Sequence, residues 1–127
     1  MNEFILLMIV GLELKHFVAD YLLQFDWMIK GKGSVSKLGG YFHAAVHAGG
    51  SVAVLVIAAL PTTFIIVMVM AEFAVHYMLD FGKVHYSKDV SSVERPRLFW
   101  ALNGLDQLLH HLTYVVMTYI AVLSVAN

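Results

Sequence analysis

The sequence predicts an all-α fold, a polytopic membrane protein whose four transmembrane helices run up and down as a bundle. Hydrophobic residues make up 60% of the 127 and charged residues only 13%, where a soluble domain is about half apolar and about a quarter charged. Mean hydropathy is +0.76. The apolar residues gather in four runs, at about 3–27, 38–60, 62–83 and 98–124. Each is long enough to cross a hydrocarbon core of roughly 30 Å at about 1.5 Å per residue. Residues 1–127 are read as a single integral membrane domain.

The first run opens MNEFILLMIVG. An acid stands where a signal peptide would carry basic residues, so a retained first helix is expected. Its later part, KHFVADYLLQ, sets His16 and Asp20 four residues apart, with Glu13 and Gln24 on the same face. A loop at about 28–38 contains GKGSVSK. The second helix opens YFHAAVHAGG, again with two histidines, His43 and His47, four apart. Gly40, Ala44 and Ala48 form a small-residue stripe beside them, which predicts close helix packing. A short uncharged connection, LPTT, leads to the third helix. That helix ends EFAVHYMLDFGK, with Glu72, His76, Asp80 and Lys83 at steps of four, four and three. The loop at about 84–97 is polar and ends ERPR, where Pro96 suits the first turn of a helix. The fourth helix carries LNGLDQLLHH, with Asp106 and His110 four apart and Asn103 beside them.

Lys30, Lys32, Lys37, Lys83, Lys88, Arg95 and Arg97 all lie in or beside the first and third loops. In an up-down chain those loops share one side, which the positive-inside rule makes cytoplasmic. Both termini then lie on the non-cytoplasmic side. Trp27 and Trp100 fall near the same boundary, as interfacial aromatics do. Topology accounts for these cations without a substrate.

A step of four residues turns a helix by only about 40°, so each polar set is a narrow stripe. Following each helix from the loops places all four stripes in the half of the bilayer next to loops one and three. One acid or base at the centre of a spanning helix costs ~2.5–3.5 kcal/mol. Asp20, Glu72, Asp80 and Asp106 together would cost on the order of 10 kcal/mol if deep and unpaired. Partners, water or a metal must offset that. Lys15, inside the first helix, is expected to pair with one of these carboxylates.

Five histidines, at 16, 43, 47, 76 and 110, can meet the four carboxylates. With no cysteine in the chain, thiolate sites, thiol catalysis and disulfides are excluded. Imidazole and carboxylate suit zinc, iron or manganese. The expected ligands and supporting groups are His16, Asp20, His43, His47, His76, Asp80, Asp106 and His110. They would hold one or two divalent transition-metal ions, zinc first, and such an ion acidifies a bound water. Glu72, deeper on its helix than the expected ligands, is the expected general base. His85 and His111 stay outside the set, and the methionines are apolar filler. Ser51 is the one serine on a stripe, which argues against nucleophilic serine chemistry.

KHFVADYLLQ, HAAVH, EFAVHYMLDFGK and LDQLLH, in that order, resemble a family of small bacterial and phage integral membrane proteins, domain of unknown function 3307. The resemblance covers nearly the whole chain and implies a multi-pass protein of a bacterial inner membrane. It implies no activity. Soluble di-iron bundles use Glu-x-x-His, which the steps of four here do not match. Membrane di-iron hydroxylases place HxxxH pairs similarly but use more histidines than converge here.

The function expected is therefore a metal-dependent hydrolase acting on a lipid or another membrane-located substrate, with the lipid bilayer as surroundings and no nucleic-acid partner. The alternative is a non-enzymatic membrane protein. In it the cluster conducts protons or ions, or serves as a structural metal staple, in a homo-oligomer of phage type. The far half of each helix is almost purely apolar (VAVLVIAAL, TTFIIVMVM, VVMTYIAVLSV), which favours a one-sided site over a through-path within one chain.

Overall fold

A computed structural model describes residues 1–126, and among them every regular element is helical. Helix α1 (Asn2–Phe17) continues into a π-helical turn, Val18–Leu22, and a one-turn helix α2 (Asp26–Ile29) follows. Three long helices complete the chain: α3 (Leu38–Ile57), α4 (Thr62–Ser87) and α5 (Pro96–Ala126).

The four apolar runs become the four long helices, with corrected ends. The first run does not stay helical to 27. Leu23 N–H donates to the Val18 carbonyl at 3.0 Å, one residue wider than an α-turn, and Phe25 is extended. The Gln24 amide donates to the Asp20 carbonyl at 2.9 Å, occupying an acceptor that the broken helix leaves open. The second run stops at Ile57, because Ala59 turns left-handed (φ 55°). Ala59 N–H then donates to the Val56 carbonyl and Leu60 N–H to the Leu55 carbonyl, the paired closure of a Schellman C-terminus. The third run continues past 83 to Ser87, whose hydroxyl donates to the Lys83 carbonyl at 2.6 Å. Pro96 begins α5, the place its fixed φ and missing N–H suit.

Helix α1 packs on α3 and α5, and α4 also packs on α3 and α5, so the four helices ring a common centre. That centre has two zones. Met8, Leu12, Leu55, Ile65, Met68, Met117 and Ala121 contribute to an apolar zone. A polar zone holds the histidines and carboxylates of all four helices. The predicted stripe of Gly40, Ala44 and Ala48 is buried. Close approach matters at two further glycines. A Cβ at Gly39 would lie 2.5 Å from the Trp27 carbonyl oxygen, so its absence lets the α2 segment dock on the start of α3. A Cβ at Gly50 would lie 3.2 Å from the Lys15 Cβ, so this glycine admits the lysine stem between α1 and α3.

The outside is apolar. Leu6, Leu14, Ile57, Val67, Met78 and Trp100 are each largely exposed while His16, His43, His47, His76, His110, Asp80 and Asp106 are buried. A soluble fold sorts these residue types the other way; a lipid surrounding selects this one. Helices α3, α4 and α5 are each long and apolar enough to cross a membrane. The α1 helix is more heavily charged, with Glu3, Glu13 and Lys15.

Candidate metal centre

The steps of four bring together what they align. His16, His43, His47, His76, Asp80, Asp106 and His110 are buried in the polar zone, and Asp20 is half-buried at its edge. Three groups have donor atoms within 4.8 Å of one another: His16, Asp20 and His47; His43, His47 and His76; His76, Asp80 and His110. A tetrahedral ion with bonds of about 2.0–2.1 Å holds its ligands roughly 3.3 Å apart. Each group is therefore within a side-chain adjustment of enclosing a cation.

One side of this zone is hydrogen-bonded. The Gln107 amide donates to Asp20 Oδ2 at 3.4 Å and to Asp106 Oδ2 at 3.3 Å. Its oxygen then faces His16 Nε2 at 3.0 Å and accepts from it. With Nε2 the donor, neutral His16 accepts at Nδ1 from the Tyr114 hydroxyl, 2.9 Å away. His47 Nε2 donates to Asp20 Oδ1 at 2.9 Å. His16, His47, Gln107, Tyr114 and both Asp20 oxygens thus have partners that match their roles.

The other side is not. Buried imidazole nitrogens without a hydrogen-bond partner among the described residues include His43 Nδ1 and Nε2, His76 Nε2 and His110 Nε2, while the nearby Asp80 Oδ2 meets the Lys32 ammonium. They gather around the Asp80 carboxylate. His43 Nε2 lies 3.5 Å and His76 Nε2 3.4 Å from Oδ2, and His110 Nε2 lies 3.9 Å from Oδ1; His43 Nε2 also lies 3.1 Å from Asp20 Oδ1, between the two carboxylates. His110 Nδ1 donates to the Asp106 carbonyl at 2.8 Å, which leaves the lone pair of neutral His110 on Nε2. Each buried polar group left unsatisfied costs about 1–3 kcal/mol, so several in one place form a costly arrangement unless a cation fills it. Three imidazoles and one carboxylate are a donor set that suits zinc, iron or manganese.

Ammonium groups flank the cluster. Lys32, from the segment after α2, ion-pairs with Asp80 Oδ2 at 2.9 Å. Lys83 donates to Asp106 Oδ2 at 2.9 Å, so Asp106 stays outside the three groups, bonded instead to lysine and glutamine. At the opposite edge Lys15 pairs with Glu72, as a buried lysine on that face requires, and its ammonium lies 3.4 Å from His47 Nδ1. Glu72 thus reaches the cluster through Lys15 and His47 rather than touching it. Glu13 turns away to meet His111 at 2.7 Å near the surface, and His85 Nδ1 donates to the Phe81 carbonyl. Both histidines stand outside the cluster, as expected.

Residues 5–127 match the family described as a protein of unknown function, DUF3307. The chain belongs to this family. The resemblance carried by the four helix motifs is thereby borne out, and the matched span takes in every residue of the DUF3307 cluster. No curated protein and no solved structure matches the chain.

Sequence reasoning missed Gln107, Tyr114 and Lys32. Two of them carried a signal: Tyr114 continues the step of four from Asp106 and His110, and Gln107 lies one turn before His110. Lys32 comes from a loop, where no periodicity places a side chain.

Proposed function

We propose that this DUF3307 protein is a metal-dependent hydrolase of the bacterial inner membrane, acting on a lipid or another membrane-located substrate. The observation that carries the reading is the set of buried imidazole nitrogens of His43, His76 and His110 that lack a hydrogen-bond partner around the Asp80 carboxylate. These four would hold one divalent ion, zinc first, with iron or manganese as the other candidates. A second ion would have to displace the hydrogen bonds of His16, Asp20 and His47, so one ion is expected. A divalent ion there supplies Lewis-acid polarisation and acidifies water.

In this reading α1 with its π turn, α3, α4 and α5 all span the bilayer. The lysine-rich loops lie on the cytoplasmic side and both termini on the other. The cluster then sits in the cytoplasmic half. The protein's own side chains divide the remaining work. His16, Asp20, His47, Gln107 and Tyr114 hold the helices in register around the donors. In the same reading two carboxylates would take a proton: Glu72, through Lys15 and His47, and Asp106, on the side of the loops.

Elemental analysis of detergent-purified protein, beside a His43→Ala/His76→Ala double variant, tests the metal. One equivalent of zinc, iron or manganese in the parent and none in the variant supports it. A parent that stays metal-free after incubation with each ion overturns it, and leaves the cluster as a proton path or a polar clasp. Hydrolysis of membrane lipids by the loaded protein, lost in Glu72→Gln or Asp106→Asn with metal retained, identifies the proton acceptor.

A further inference from the structure

On the loop side of the cluster a cavity of about 410 Å³ reaches the Asp80 carboxylate. Asp20, Asp80 and Asp106 line it together with Lys32, Lys83 and Gln107. Three carboxylates against two ammoniums give the lining one net negative charge, with the neighbouring histidines neutral. One divalent ion on the Asp80 donor set turns that sum to one net positive. Lys32 and Lys83 now contact Asp80 and Asp106, the first of which the ion would share. Once a metal offsets the Asp80 charge, the Lys32 ammonium is left with a weakened partner beside open space.

We propose that the cavity binds a phosphate ester, held by Lys32 and Lys83 beside the metal. This rests on the metal reading above and names its substrate class. A charged phosphate matches the reversed sign, and its several acceptor oxygens suit two separate ammoniums and the Gln107 amide at once. The lining also includes Tyr21 and Trp100, each 68% exposed. Amphipathic rings of this kind sit at the headgroup level of a bilayer, so the opening lies where a phospholipid headgroup or a free phosphate ester of the cytoplasm could enter. Asn103 and Gly104 of α5 line the same cavity, which gives the ester's polar substituent an amide to bond.

The test is calorimetric titration of full-length protein in detergent, metal content measured on the same sample, with two probes: sn-glycerol 3-phosphate and dihexanoyl phosphatidic acid. The metal-loaded parent is expected to bind at least one probe, and the metal-stripped parent neither. Lys83→Ala and Lys32→Ala should each retain the metal and weaken binding about tenfold, the worth of one charge-assisted hydrogen bond. Lys83→Arg should restore most of it. Equal affinity for both probes points to a free ester, and binding of phosphatidic acid alone points to a lipid. A loaded parent that binds neither probe, or lysine variants that bind as the parent does, overturns the proposal while the metal site stands. A protein that holds no metal removes the charge reversal and overturns both.

Discussion

The two sides of the polar zone are built from the same residue types and treat them differently. Around Asp20, both carboxylate oxygens and the nitrogens of His16 find a donor or acceptor, through Gln107, Tyr114 and His47, and only His43 approaches without a hydrogen bond. Around Asp80, three imidazoles turn nitrogens toward a carboxylate that Lys32 pairs from the loop side, with no hydrogen bond from any of the three. The first side is a closed hydrogen-bond network that holds three helices in register. The second is a set of imidazole nitrogens gathered at one carboxylate without a hydrogen bond. Equal burial therefore does not mean equal role; what separates scaffold from site is whether the polar atoms are already spoken for.

The comparison breaks most sharply at a single histidine on each side. His76→Ala should abolish metal binding in elemental analysis, whereas His16→Ala should keep one equivalent. If His16→Ala loses the metal as well, the two sides act as one site. Next in size is the pair at the deep edge. Lys15→Met leaves Glu72 buried without its cation and should cost roughly 3–5 kcal/mol of stability. The Lys15→Met/Glu72→Gln double variant should recover most of that loss in detergent unfolding. Gln107→Ala leaves His16 and Asp20 short of a partner and should cost about 1–3 kcal/mol of stability in detergent unfolding, with metal content unchanged. Tyr114→Phe removes one hydrogen bond to His16 and should cost about 1 kcal/mol with unchanged metal content. The smallest effect lies away from the site. Ala59→Gly relieves a left-handed alanine and should raise stability by about 0.5–1 kcal/mol.

Much of this contrast was hidden in the sequence, although its materials were visible there. The step of four aligned His16 with Asp20, His43 with His47, His76 with Asp80 and Asp106 with His110, and the structure brings all four pairs to one zone. Periodicity shows which face a residue occupies, but not whether its atoms meet a partner. That depends on Gln107 and Tyr114, neutral residues that a search for ionisable groups passes over. The π turn at Val18–Leu22 was not legible either, because hydropathy is the same for a helix one residue wider. Its consequence is local: Asp20 lies within the widened turn, where such turns tend to mark functional positions. Lys32 was read as a topological charge, since the docking of its loop depends on Gly39 meeting Trp27 and Met28.

The Lys15–Glu72 pair also constrains the order of events at birth. The two residues are 57 positions apart in the chain, and synthesis runs from the N-terminus, so α1 emerges from the ribosome well before the acid that neutralises its lysine. In a membrane-spanning protein a lone lysine at mid-helix costs ~2.5–3.5 kcal/mol to insert. If α1 spans as proposed, its lysine gains its partner only once α4 has followed, and the full stability of the first helix made depends on one made later.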